Sequence, residues 1–182
     1  MHHAVRTVCC AWLSMLLPGI AAAQCAQALD AHIRARDPQL IEALATGLRV
    51  SPTLRRLADT IAASDVIVYV VFERSPHAGI AAHVSFITAA GGRRYLHLAV
   101  DPSIAGTRVI GMLGHELQHA AEIAAAPSVV DDRTLAAFYS RIGFAGADAT
   151  LDRRFESEAA IESGDRVTRE ARTFRDRDRP RN

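Results

Sequence analysis

The five consecutive residues His115-Glu116-Leu117-Gln118-His119 combine side-chain types and a spacing that can bind and use a metal ion. On an α-helix, residues four positions apart lie one above the other on the same face, so both imidazoles can reach one Zn²⁺. Glu116 lies one position round the helix, where its carboxylate can take a proton from water held at the metal. The spacing therefore predicts a zinc site with an adjacent general base, provided that the segment is helical.

The sequence around this motif has the pattern of an amphipathic helix over residues 107–124. Apolar residues recur there at helical spacing and form one stripe, which comprises Ile110, Leu113, Leu117, Ala121 and Ala124. Thr107 is predicted as the N-cap. Gly114, directly before His115, predicts a close approach by another backbone, since glycine in a helix costs roughly 1 kcal/mol relative to alanine. We therefore expect the helix to bury the stripe and to present both histidines on another face.

A catalytic zinc ion commonly takes three protein ligands, and three glutamates are candidates for the third: Glu122, Glu156 and Glu158. The last helix is predicted from Arg153 to about Phe174, with a buried stripe at Ala160, Gly164, Val167, Ala171 and Phe174. Glu156 lies four residues before Ala160 on this stripe, whereas Glu158 falls on the solvated face. A buried carboxylate is unfavourable unless it is paired or bound to a metal, so Glu156 is the preferred ligand.

Two alternatives stay open at this point. Glu122 lies on the histidine face, so it can lean towards the metal or accept a hydrogen bond from His119 as a supporting carboxylate. Glu156 can instead be a buried partner of an arginine such as Arg141.

The elements before and after the motif helix indicate the fold class. Three strand candidates precede it, at Val66–Phe72, Ala82–Thr88 and Arg94–Val100. Gly91-Gly92 marks a hairpin turn between the last two. Helices are predicted at 39–48, from Pro52 with Ser51 as N-cap, and at 131–142. This order predicts an α+β domain in which a small three-stranded antiparallel sheet packs against helices, including the motif helix.

Composition and the N-terminus narrow the function classes. The 182 residues are 49% hydrophobic, which fits one domain, and a net charge of +1 provides no electrostatic case for nucleic acid. A basic Arg6, an apolar run too short to span a bilayer and the small residues 21–23 are typical of a secretory signal. We predict a signal peptide at 1–23, one domain at 24–172 and a charged disordered tail at 173–182, with export to the periplasm or exterior. Lipidation at Cys25 is the alternative.

The segment GHELQH at 114–119, followed by an acidic residue in a later helix, resembles the gluzincin group of zinc metallopeptidases. Together with SPTLRRLADTIAASDVIVYV and GGRRYLHLAVDP, it is also similar to a set of small uncharacterised bacterial secreted proteins, over most of residues 50–170. The gluzincin resemblance implies a zincin-like fold and a third ligand on a helix after the motif helix, where Phe155-Glu156-Ser157-Glu158 stands. It also implies a strand edge that binds the peptide.

The resemblance and the motif lead to one functional expectation and one alternative. The expectation is zinc-dependent hydrolysis of a peptide or protein substrate, with zinc held by His115, His119 and Glu156 and with Glu116 as general base. The alternative is a secreted domain that binds zinc or a partner without turnover. The short chain, which lacks the large substrate-binding lobes of the bigger family members, motivates this alternative.

Overall fold

The computed structural model describes residues 31–75, 79–145 and 155–177, in which a mixed β-sheet packs against helices. The strands are β1 (Ile33–Ala35), β2 (Val66–Phe72), β3 (Ala82–Ala90), β4 (Arg93–Val100), β5 (Phe144–Ala145) and β6 (Phe155–Glu156). The helices are α1 (Pro38–Val50), α2 (Pro52–Ala62), α3 (Thr107–Ala124), α4 (Asp132–Ile142) and α5 (Glu158–Arg177). The predicted α+β class is confirmed.

The prediction of a three-stranded antiparallel sheet is wrong, because the sheet has four strands and is mixed. Its order is β1-β2-β4-β3, with β1 and β4 both parallel to β2 and with β3 antiparallel to β4. The hairpin places β4, and not β3, next to β2, so the neighbouring strands run in the same direction. Strand β1 has only three residues, too few to show an alternating pattern in the sequence.

The predicted hairpin turn between β3 and β4 is confirmed. Gly91 and Gly92 have φ values of 58° and 72°, a conformation that glycine adopts at little steric cost and that two-residue hairpin turns require. β3 therefore pairs with β4 along one side and forms an edge of the sheet.

The core lies between one face of the sheet and the helices. Alternate residues of the two central strands are almost fully buried on this face: Val66, Val68, Val70, Leu96, Leu98 and Val100. Leu113 and Leu117 of α3 are equally buried and belong to the same cluster. Full burial of one such side chain contributes about 1.5–3 kcal/mol, so this cluster anchors α3 firmly on the sheet.

Local sequence signals account for most of the helix starts. The Ser51 hydroxyl accepts a hydrogen bond from the backbone of Leu54 at 2.9 Å and caps α2, as predicted. Asp131 caps α4 in a capping box with Thr134. Thr107 is not the N-cap of α3: Gly106 holds that position with a φ of 60°, and Thr107 is the first helical residue.

Helices α3 and α5 cross closely through glycines. A Cβ atom on Gly114 would lie 2.6 Å from Cγ2 of Val167, and one on Gly111 would lie 2.1 Å from Oγ1 of Thr168. The predicted close approach at Gly114 is therefore made by a side chain. A backbone atom approaches one turn earlier, where the Gly164 carbonyl lies 3.5 Å from the Gly111 Cβ position.

The last helix differs from its predicted bounds at both ends. It begins at Glu158 instead of Arg153 and continues to Arg177, which includes the first residues of the predicted tail. The predicted signal peptide, Cys25 and residues 178–182 lie outside the described residues. Within the described ranges, no helix combines the length and the apolar character needed to cross a membrane.

Candidate metal centre

The two histidines of the motif and Glu156 converge on one point beside α3. Oε1 of Glu156 lies 3.1 Å from Nε2 of His115 and 3.3 Å from Nε2 of His119. One donor atom from each residue lies within 4.8 Å of the other two, and this is the only such trio among the described residues. The structure thus brings together His115, His119 and Glu156, the ligand set that was preferred from the sequence.

The spacing of these atoms suits a small tetrahedral cation. Zn–N and Zn–O bonds of about 2.0–2.2 Å place neighbouring donors of a tetrahedron about 3.3–3.5 Å apart. The two observed distances to Glu156 Oε1, 3.1 and 3.3 Å, are close to that spacing. Two imidazole nitrogens and one carboxylate oxygen form a donor set that zinc accepts with a position left for water. His115, His119 and Glu156 could therefore hold Zn²⁺ with little rearrangement.

Glu156 reaches this point from a strand and not from the predicted helix. Strand β6 pairs with β5, which places Glu156 opposite Phe144. Gly143 permits the approach, since a Cβ atom there would lie 2.7 Å from the carbonyl oxygen of Glu156. The stripe that favoured Glu156 in the sequence does not extend to it, because α5 begins two residues later. The argument that Glu156 lies on the buried stripe of the last helix was therefore wrong, although Glu156 does reach both imidazoles.

The Nδ1 side of the His119 ring contacts the polar side chains of Glu122 and Tyr139. Nδ1 of His119 lies 3.1 Å from Oε2 of Glu122 and 3.0 Å from the hydroxyl of Tyr139. The Tyr139 hydroxyl also donates to Glu122 Oε2 at 3.1 Å. When a metal is bound, a carboxylate at Nδ1 would favour the tautomer with its proton on that nitrogen and would leave the Nε2 lone pair for the metal. Glu122 therefore supports His119 and does not join the trio.

Glu116 is buried between the motif helix and the edge of the sheet. Only 4% of the residue is exposed, and the backbone of Val84 in β3 lies near its carboxylate and favours the ionised form. Burial raises the pKa of Glu116 to about 7, although the two nearby imidazoles oppose this shift. The carboxylate is thus held in a dry position beside the trio, with an affinity for protons well above that of an ordinary glutamate.

His119, Glu122 and Glu156 form a cluster of charged groups that shift one another's pKa values. Burial would raise the pKa of Glu156, but the two hydrogen-bonded imidazoles outweigh it and lower the pKa to about 2. Burial likewise opposes charge on His119, yet the carboxylates of Glu122 and Glu156 raise the pKa of His119 to about 9. Burial acts against ionised Glu122 too, while bonds from His119 and Ser157 lower its pKa overall. A divalent cation bound by these groups would compete with protons for them.

Two other sequence candidates lie away from the trio. Glu158 is exposed on the first turn of α5, as expected for the solvated face. Arg141 is also exposed, and the ion pairs found for Glu156 in the described residues are with the two imidazoles.

Three contributors to the site were not singled out from the sequence. Tyr139 lies in the helix predicted at 131–142, and no local pattern indicates that its hydroxyl reaches His119. The backbone of Val84 likewise leaves no signal in the sequence. Ser157 had one, because a serine directly before a helical run is a preferred N-cap. Its hydroxyl accepts a hydrogen bond from the backbone of Ala160 at 3.1 Å and donates one to Glu122 at 2.7 Å.

Comparison of the chain with protein-family models, curated proteins and solved structures found no match. Function must therefore be inferred from the geometry of the site.

Proposed function

We propose that this protein is a zinc-dependent hydrolase of peptide bonds, in which His115, His119 and Glu156 hold the metal and Glu116 is the general base. The observation that carries the proposal is the convergence of both Nε2 atoms on one carboxylate oxygen, at 3.1 and 3.3 Å. A buried carboxylate on the same helix, adjacent in sequence to His115, supplies the second element that hydrolysis needs.

The role of each residue follows from its surroundings. When bound, zinc would supply a Lewis acid that makes water more acidic and polarises the scissile carbonyl. Glu116 would accept the proton of the attacking water and return it to the amine as the C–N bond breaks. The backbone of Val84 favours the ionised form of Glu116, and Glu122 would keep the Nε2 lone pair of His119 available to the metal.

The edge of the sheet supplies a place for a substrate. An extended peptide can add to β3 as a further strand, held by main-chain hydrogen bonds. Because the backbone of Val84 in β3 lies near the Glu116 carboxylate, a peptide on this edge would pass close to the general base. We therefore propose an extended peptide or an unfolded protein segment as the substrate class.

The proposed ligand set, two histidines four residues apart and a later glutamate, resembles that of gluzincins, with one difference. The glutamate of that group lies on a helix, whereas Glu156 lies on β6, directly before the N-cap of α5. The proposed site of action is the periplasm or the exterior, supported by the signal-like pattern of residues 1–23.

The proposal is tested by the metal content and activity of the purified protein. Elemental analysis should find close to one zinc per chain, and a broad peptide library should contain cleaved products. Glu116→Gln should retain zinc but lose hydrolysis by about 10²–10⁴-fold, because the amide cannot accept the proton. Glu162→Gln, an exposed change on α5, is the matched control and should behave as wild type.

Two results would contradict the proposal in different ways. A protein without zinc after purification and reconstitution would exclude the metal site. A protein that retains zinc but cleaves no library peptide would instead favour a secreted zinc-binding domain without turnover.

A further inference from the structure

Ser157 connects the segment that carries Glu156 to the network behind His119. The serine is 4% exposed, and its hydroxyl donates to Oε1 of Glu122 at 2.7 Å. Its backbone N–H donates to Oε1 of Glu156 at 3.1 Å, the same oxygen that lies beside both imidazoles. Ser157 therefore contacts Glu156 directly and is linked to His119 through Glu122.

The local structure around Glu156 provides few other restraints on its side chain. Strand β6 has only two residues, and the Glu156 side chain is 28% exposed, so neither a long strand nor tight packing holds it. α3 and α5 are packed together by glycines, but those contacts lie further along α5. The bond from Ser157 to Glu122 links the start of α5 to α3 at the level of the ligands.

We propose that Ser157 and Glu122 form a positioning pair that holds the Glu156 carboxylate in register with His119, so that metal affinity depends on the bond between them. This inference rests on the proposed zinc site. Glu122 alone would orient one imidazole. The pair also orients the segment that carries the third ligand, because the Ser157 hydroxyl and the Ser157 N–H belong to one residue.

A second serine in the chain provides a matched control for the Ser157–Glu122 pair. Ser51 caps α2, and its hydroxyl donates to Glu170 of α5, so that a buried capping serine again bonds a glutamate of another helix. Glu170 also accepts hydrogen bonds from the backbone and hydroxyl of Thr53, at 3.2 and 2.8 Å. Loss of the Ser51 hydroxyl should therefore lower stability in the same way, without a connection to the donor trio.

Zinc affinity by chelator competition separates positioning from stability. Ser157→Ala should weaken zinc binding by about 10–100-fold, the range typical for loss of a group that supports a ligand. Ser51→Ala should lower Tm comparably and leave zinc affinity unchanged. Ser157→Thr keeps the hydroxyl and should restore most of the affinity. Circular dichroism at the assay temperature establishes that each variant is folded.

Ser157→Asp separates the capping role from the bond to Glu122. Aspartate is a good N-cap, so α5 should remain capped. It cannot donate to Glu122, and it adds a second carboxylate beside it. Zinc affinity should therefore fall at least as far as in Ser157→Ala. Affinity equal to wild type in Ser157→Asp would show that capping is sufficient and would overturn the proposal.

A double-mutant cycle measures the coupling within the pair. The combined loss of zinc affinity in Ser157→Ala with Glu122→Gln should be smaller than the product of the two single losses, because each change already removes the shared bond. A loss equal to that product would overturn the positioning pair. If Ser157→Ala does not fold, Ser157→Gly, which also removes the hydroxyl and adds no charge, takes its place in the cycle.

The outcomes also separate this inference from the function on which it rests. Wild-type protein that binds no zinc would overturn both. Wild-type protein that binds zinc with the same affinity as Ser157→Ala would overturn the positioning pair alone.

Discussion

The assignment of Glu156 as third ligand leads to a comparison of three glutamate variants. Glu156→Gln replaces an anionic oxygen with a neutral amide at the point where both Nε2 atoms converge. Glu158→Gln makes the same chemical change two residues later, on a side chain that is exposed. Glu122→Gln alters the carboxylate that lies 3.1 Å from Nδ1 of His119. The three variants thus differ in position and not in chemistry.

The expected magnitudes follow from those positions. Glu122 supports a ligand without belonging to the trio, so its change should weaken zinc binding by about 10–100-fold. Glu156 contributes a donor atom and a negative charge directly, so its loss should exceed that range, which corresponds to more than roughly 2.8 kcal/mol. Glu158 contacts neither the trio nor its support, and Glu158→Gln should bind zinc as wild type does.

Chelator competition at a single pH makes the comparison, because protons compete with metal for the same ligands. All three variants should be verified as folded by circular dichroism before affinities are compared. If Glu158→Gln loses zinc while Glu156→Gln keeps it, the ligand assignment is wrong. If only Glu122→Gln loses zinc, the metal is held by α3 alone, and the resemblance to gluzincins fails as well.

Three further predictions concern residues that hold the site in place. Arg94, 3% exposed, donates two buried hydrogen bonds to the carbonyls of Ile123 and Val129, so Arg94→Leu should lower the free energy of unfolding by about 2–6 kcal/mol in urea titrations. A loss below about 1 kcal/mol would mean that water satisfies those carbonyls. Gly164→Ala would place a Cβ atom 3.0 Å from Cβ of His115, so chelator competition should show weaker zinc binding even if the helix gains up to about 1 kcal/mol. Unchanged affinity would show that α5 can shift without moving the imidazole. Tyr139→Phe removes the hydroxyl next to Nδ1 but leaves Glu122 there, so zinc affinity should fall by about 10-fold, less than in Glu122→Gln. A larger fall than in Glu122→Gln would make Tyr139 the principal support of the ring.

Local sequence patterns were sufficient for the elements that carry their own signals. The motif helix was predicted over residues 107–124, and α3 has these bounds, because apolar residues at helical spacing make a helix the only way to bury that stripe. β2 was predicted with its observed bounds for a similar reason, as a β-branched run with a buried face. The relation between His115 and His119 is equally local, since it depends only on the pitch of one helix.

The relations between segments could not be read from such patterns. β4 lies next to β2 because of the path of the chain through the hairpin, and the alternation of side chains is the same in a parallel and an antiparallel pair. Strand β6 was missed because a two-residue strand has no period, and the last helix was accordingly extended over it.

The candidate site shows the same division between local and tertiary information. The sequence by itself determined two imidazoles and a carboxylate on one helix, because helical geometry relates residues that are close in the chain. Only the tertiary structure decided that Glu156 would approach both Nε2 atoms and that Glu122 would lie at Nδ1 of His119. It also decided that Tyr139 and Ser157 would form hydrogen bonds to Glu122. Those contacts depend on how α4, β6 and the start of α5 pack against α3, which no periodicity within a single segment specifies.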